Sequence, residues 1–144
     1  MNKKGFTLIE LLAVIVILAV IALIVTPIVT GIIAQAKESA NARSVEGHIK
    51  DMEYAMLESA FKDGTGNTSS FNEKTTYDAI TTALPTGVSI PSTDKIKCET
   101  YTVVEGTITA ATKCALYDGE TNQWGGATYS FTQGSNAQKD QAAS

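Results

Sequence analysis

Apolar positions are unevenly distributed along this chain. From Leu11 to Val25 no side chain is polar, and apolar character continues to about Ala36, interrupted by Thr26, Pro27, Thr30 and Gly31. A helix needs about 20 apolar residues to cross a bilayer core, and this run supplies them. Beyond Glu38 the continuous run becomes a single stripe. Val45, Ile49, Met52 and Met56 recur at spacings of 4, 3 and 4, while Arg43, Glu46, Lys50, Glu53 and Glu58 fall largely off it. That period is helical. Nothing between the two patterns stops a helix, so one helix is predicted from the lipid-soluble segment to about Phe61. From Phe6 to Phe61 it would span about 84 Å.

After the helix the pattern changes again. Lys62–Thr76 holds Gly64, Gly66, Asn67, Thr68, Ser69 and Ser70 and reads as a surface loop. Thr76 is a candidate cap for a short helix over Tyr77–Leu84, which Pro85 ends. Three strands are expected at Lys95–Val104, Thr107–Tyr117 and Ala127–Thr132, all rich in Thr, Val, Ile and Tyr, with Glu105-Gly106 at the first turn. The predicted fold is α+β, a long N-terminal helix packed on a small antiparallel sheet. Ser135–Ser144 is small and polar and is expected to be a flexible tail.

The two cysteines, Cys98 and Cys114, lie on adjacent predicted strands. A three-residue hairpin loop would set Cys98 opposite Cys114, whereas a two-residue loop would offset them by one. An even count in an exported domain favours a disulfide. His48 is the only histidine and is expected to be a solvated helix residue; with both cysteines distant, a metal site is not expected. Asp118, Glu120 and Asn122 alternate, but three oxygens are too few for a calcium loop, and a plain turn is expected there. No cofactor is predicted.

Charge narrows the function classes. The net charge of −4, without a Lys/Arg cluster, argues against nucleic acid as the main partner. Lys3 and Lys4 precede the apolar run, which predicts a cytoplasmic N-terminus and an exported C-terminal part. An ordinary secretory signal fits poorly, because its apolar region is about 7–15 residues long and ends at a small-residue cleavage site. Glu10 is the unusual residue, an acid among Phe6, Leu8, Ile9, Leu11 and Leu12. An ionisable group in a membrane helix costs about 2.5–3.5 kcal/mol at the helix centre and less near an end. Pairing with Lys3 and Lys4 or with water is one reading. The other is that cleavage at Gly5–Phe6 creates an α-amine on Phe6, which pairs with Glu10 of a neighbouring subunit.

The segment Lys4-Gly5-Phe6-Thr7-Leu8-Ile9-Glu10-Leu11 resembles the prepilin peptidase site of the type IV pilin superfamily, with a short leader as in the type IVa group. The resemblance covers the first thirty or so residues. It implies cleavage after Gly5 by an aspartyl membrane peptidase, N-methylation of Phe6 by the same enzyme, and assembly through Glu10. Pro27 extends it: proline in a helix interior removes a hydrogen bond, which by itself reads as a kink, and in the family a proline here accompanies a helix segment that melts when subunits pack. About 30 residues follow Cys114, unlike many Gram-negative pilins, in which the cysteines enclose the C-terminal segment; a Gram-positive source is compatible.

The resemblance therefore implies a leader at 1–5, a transmembrane and polymerisation half-helix at 6–36, and an extracytoplasmic head at 37–144. The expected function is that of a structural subunit of a type IV pilus used for adhesion, motility or DNA uptake. The implied partners are further copies of the chain, the prepilin peptidase with inner-membrane assembly machinery, and membrane lipid before assembly. The subunit would be held in the cytoplasmic membrane first and in a surface filament afterwards. A pseudopilin of a secretion or competence system shares the same N-terminus. A receptor or enzyme domain on a signal anchor finds little support, since the sequence has no nucleophile–base motif, phosphate loop or metal-ligand cluster.

Overall fold

A computed structural model of the 144-residue chain describes residues 5–72, 76–92, 95–118, 121–122 and 127–141. It has two compact units, Met1–Lys37 and Glu38–Ser144. Helix α1, Leu8–Lys62, contributes to both.

In the first unit α1 has no internal partner. Large apolar side chains from Phe6 to Ile33 are exposed, Phe6 and Leu8 by 85% and 86%, so the segment depends on lipid or another molecule to cover it. Its two mid-run hydroxyls are turned back on the helix. Thr26 donates to the Ala22 carbonyl at 2.6 Å and Thr30 to the Pro27 carbonyl at 2.9 Å, which hides both from an apolar solvent. The helix is assigned without a break through Pro27, whose missing N–H leaves the Leu23 carbonyl without its usual donor.

In the second unit the predicted stripe is the core face. Val45, Ile49, Met52 and Met56 are fully buried, and each such side chain contributes about 1.5–3 kcal/mol relative to exposure. They pack in one cluster with Tyr101, Val103, Ile108, Ala111, Cys114, Leu116, Tyr129 and Phe131 from the sheet, and with Phe71, Tyr77 and Ile80. Phe71 sits in a 3-10 turn, Ser69–Phe71, so the loop after α1 also delivers core. Helix α2 covers Tyr77–Ala83; the Thr76 hydroxyl caps it by accepting the Ala79 N–H, and Leu84 before Pro85 is extended. This is the α+β architecture expected from the sequence.

The sheet is antiparallel and centred on β3. Its strands are β1 Ile96–Lys97, β2 Thr100–Val104, β3 Thr107–Asp118, β4 Thr121–Asn122, β5 Tyr129–Thr132 and β6 Gln138–Lys139, and β3 pairs with β1, β2, β4 and β5. The expected strand Lys95–Val104 is split at Cys98-Glu99, and β6, which the sequence did not suggest, pairs with β5.

Two irregularities set the register of the hairpin. The turn is two residues long, with Glu105 and Gly106 both at positive φ and Val104 opposite Thr107, as the right-handed twist of strands favours. On its own this would offset the cysteines. A bulge then leaves Thr109 unpaired, so that Val103 faces Ile108 but Thr102 faces Ala110. The frame continues through Lys97 opposite Ala115, which sets Cys98 against Cys114, and the disulfide forms. A second shift on the β5 side, between Ala111 and Cys114, includes Lys113 at φ 49.

Two expectations are corrected. Residues 135–141 are not a loose tail: the Ala137 N–H donates to Glu46 at 2.8 Å, and the Asp140 carboxylate accepts from the hydroxyls of Thr128 and Ser130. His48 is not solvated. It is 1% exposed, because the helix turns it towards β2, where a polar pocket awaits it. Glu120 lies outside the described residues, as do the side chains of Asp118 and Asn122.

Candidate processing and assembly segment

Gly5, Phe6 and Thr7 lead into the first turn of α1 and are exposed. A Cβ placed on Gly5 would meet nothing within 4 Å. Among the described residues nothing requires a glycine there on steric grounds.

The helix start is set by Thr7. Its hydroxyl accepts the Glu10 N–H at 3.2 Å, a donor with no backbone partner within the helix, and its carbonyl accepts the Leu11 N–H at 3.1 Å as the first regular helix bond. The signal that could have found this cap is Thr-x-x-Glu ahead of an apolar run. Glu10 itself is exposed in the first turn, where the helix dipole favours an anion. No bond to its carboxylate is seen among the described residues. The segment thus combines an accessible peptide bond at Gly5–Phe6, a capped helix start, an exposed anion one turn in and an uncovered apolar surface beyond it.

The other predicted site residues lie apart. Pro27 stands well along the uncovered helix, and Cys98 and Cys114 lie in the second unit, where their bond closes the base of the β2–β3 hairpin. No group of three or more His, Cys, Asp or Glu is placed to hold a metal among the described residues.

Two helix carboxylates that fall off the core stripe nevertheless reach the sheet backbone. Glu53 accepts the Ile108 N–H at 2.9 Å with one oxygen and binds Lys50 at 2.8 Å with the other. Glu46 accepts the Ala137 N–H. Their separation of seven residues sets them two helical turns apart on one side of α1; no local signal in the sequence names their partners.

Residues 1–26 match the family model described as the prokaryotic N-terminal methylation motif. Comparison with curated proteins and with solved structures gave no match. The motif is the type IV prepilin-like signal, and with the apolar helix it supports a membrane-anchored protein of the type IV pilin or pseudopilin kind. It also implies processing by a peptidase and assembly into pilus-like machinery.

Proposed function

We propose that this chain is the structural subunit of a type IV pilus. The prepilin peptidase clips it after Gly5 and methylates the new Phe6 amine, and α1 then packs beside the helices of other copies in a surface filament. One observation supports this reading: the apolar surface uncovered from Phe6 to Ile33 overlaps the motif matched at residues 1–26. Lipid covers such a surface in the membrane, and outside it only other apolar helices do so.

Gly5 supports the cleavage step, since none of the described residues crowds that position. Glu10 supports the assembly step. An exposed anion inside an apolar segment is stabilised when a cation arrives in the same low-dielectric surroundings, and removing either partner leaves a charge uncompensated. The Phe6 amine of a neighbour is such a cation. The size of the outer domain and its disulfide favour a pilus subunit over a pseudopilin.

Electron microscopy of cells with and without the gene tests the proposal, together with mass spectrometry of sheared filaments. Filaments that depend on the gene and contain a chain starting at methylated Phe6 are expected. A full-length chain starting at Met1 in purified filaments would overturn the processing step, and gene-independent filaments would overturn the pilus assignment.

A further inference from the structure

Beneath the base of the disulfide hairpin, α1 contributes a histidine to a polar cluster. His48 Nδ1 lies 2.7 Å from Ser92 Oγ and Nε2 lies 2.8 Å from Tyr101 Oη. Tyr101 Oη also accepts the backbone N–H of Cys98 at 3.0 Å. Three separate stretches of chain meet on one imidazole: the helix, the turn before β1, and the strand pair that carries the disulfide. Tyr101 is 1% exposed, like His48.

The proton positions follow from counting donors. A tyrosine hydroxyl has one proton to give. If Nε2 carried the ring proton, Tyr101 would accept from both His48 and Cys98, and its own proton would have no acceptor in the cluster. If Nδ1 carries it, Nδ1–H donates to Ser92, Tyr101 O–H donates to Nε2, and the Cys98 N–H donates to Tyr101; the proton left over is then that of Ser92, which is half-buried and within reach of water, rather than that of Tyr101, which is not. The Nδ1–H tautomer is therefore the one that this geometry selects. Adding a second proton removes the acceptor on which Tyr101 depends and leaves a charge in a buried site.

Among the described residues, the charged and titratable neighbours do little to offset that cost. Asp51, on α1, favours the proton. Tyr77 from α2 lies 6.4 Å away, ring centre to ring centre, and its hydroxyl is buried without a hydrogen-bond partner among the described residues. Lys97 from β1 sits 5.2 Å over the Tyr77 ring and adds positive charge to the same neighbourhood. Tyr101 faces the imidazole from β2, and burial raises its pKa well above the ordinary phenol range, so it stays a donor.

We propose that His48, Ser92, Tyr101 and the Cys98 amide form an acid-sensitive latch, which holds the base of the disulfide hairpin against α1 when neutral and loosens it on protonation. The hairpin tip has other ties, through Glu53 to the Ile108 amide and Asn72 to the Glu105 amide, so the loosening begins at the base. Burial lowers the His48 pKa from 6.5 to about 4, against a smaller opposing effect of Asp51. A depressed folded pKa means that the stabilisation is complete above pH 6.5 and is lost progressively as pH falls towards 4.

The latch is tested on the full-length chain in detergent micelles. NMR of the imidazole, from a single histidine, reports tautomer and titration together. Amide exchange at Cys98, corrected for its intrinsic pH dependence, reports opening of the hairpin base. The expected result is an Nδ1–H imidazole that titrates below pH 5, with the Cys98 opening constant rising roughly tenfold by pH 5.5 and about a hundredfold by pH 4 relative to pH 7.5. In His48→Gln, which cannot titrate, that rise should be absent. Equal rises in both proteins would overturn the latch. Should His48→Gln not fold, the wild-type titration still decides: a midpoint near 6.5, or an Nε2–H tautomer, refutes the proposal.

Discussion

Gly106 offers the most sharply defined test of how the head is packed. It occupies the second position of the hairpin turn at φ +77, and a Cβ built there would lie 2.5 Å from both Cβ and Oγ1 of Thr68. Turning the Thr68 side chain would move Oγ1 but leave Cβ in place. The Thr68 backbone is held in turn, since its carbonyl accepts the Phe71 N–H at 3.0 Å at the start of the 3-10 turn. Two costs therefore add in Gly106→Ala. The left-handed backbone costs about 1–2 kcal/mol for a residue with a Cβ, and forcing an extra carbon into a packed contact costs about 1–3 kcal/mol. Gly134 is the control: its φ is +86, yet a Cβ built there would meet nothing within 4 Å, so Gly134→Ala should carry only the first cost. Urea unfolding of the full-length chain in micelles, followed by near-UV circular dichroism, compares the two. Gly106→Ala should be the less stable by about 1–3 kcal/mol, and Thr68→Gly in the same chain should restore most of that difference in a double-mutant cycle. Equal losses for the two glycines, or no coupling to Thr68, would refute the close contact between hairpin and loop.

Further outcomes are expected from the N-terminal segment and the disulfide. Replacing Cys98 and Cys114 together by Ala should cost about 3 kcal/mol, the chain-entropy figure for a loop of about 15 residues; a loss below about 1 kcal/mol in urea unfolding would contradict it. Glu10→Val should insert into membranes as the wild type does but assemble slowly, so normal filament yield by electron microscopy would count against the charge pair. Gly5→Val should leave the leader attached, and mass spectrometry finding the usual mature N-terminus would rule out the proposed peptidase site.

What a sequence discloses depends on how local each interaction is. The stripe Val45, Ile49, Met52 and Met56 is legible because burial along a helix repeats with the helix itself. Thr76 and Pro85 are legible because a cap and a stop act on their own neighbours. The cysteine pairing is half legible: the residues stand out, but whether they meet depends on the turn length, and a bulge at Thr109 compensates for the shorter turn. His48 looks solvated from sequence because its partners, Ser92 and Tyr101, are more than forty residues away, and periodicity is blind to a polar core contact. The C-terminal stretch misleads for the same reason. Its small polar composition looks like a tail, yet Glu46 on α1 and the hydroxyls on and beside β5 give its backbone and Asp140 their places. At the other end, Gly5, Phe6 and Glu10 are readable as a motif because they stand close together in the chain, within the matched residues 1–26.

The two helix carboxylates that grip the sheet have a consequence for variation. Glu53 and Glu46 hold Ile108 and Ala137 by their main-chain amides, and every amino acid except proline offers that group. A side chain beside these anchors that faces solvent, such as Gln138, takes no part in the grip. A lineage under pressure to disguise its exterior can therefore exchange such outward residues while the frame beneath keeps its alignment.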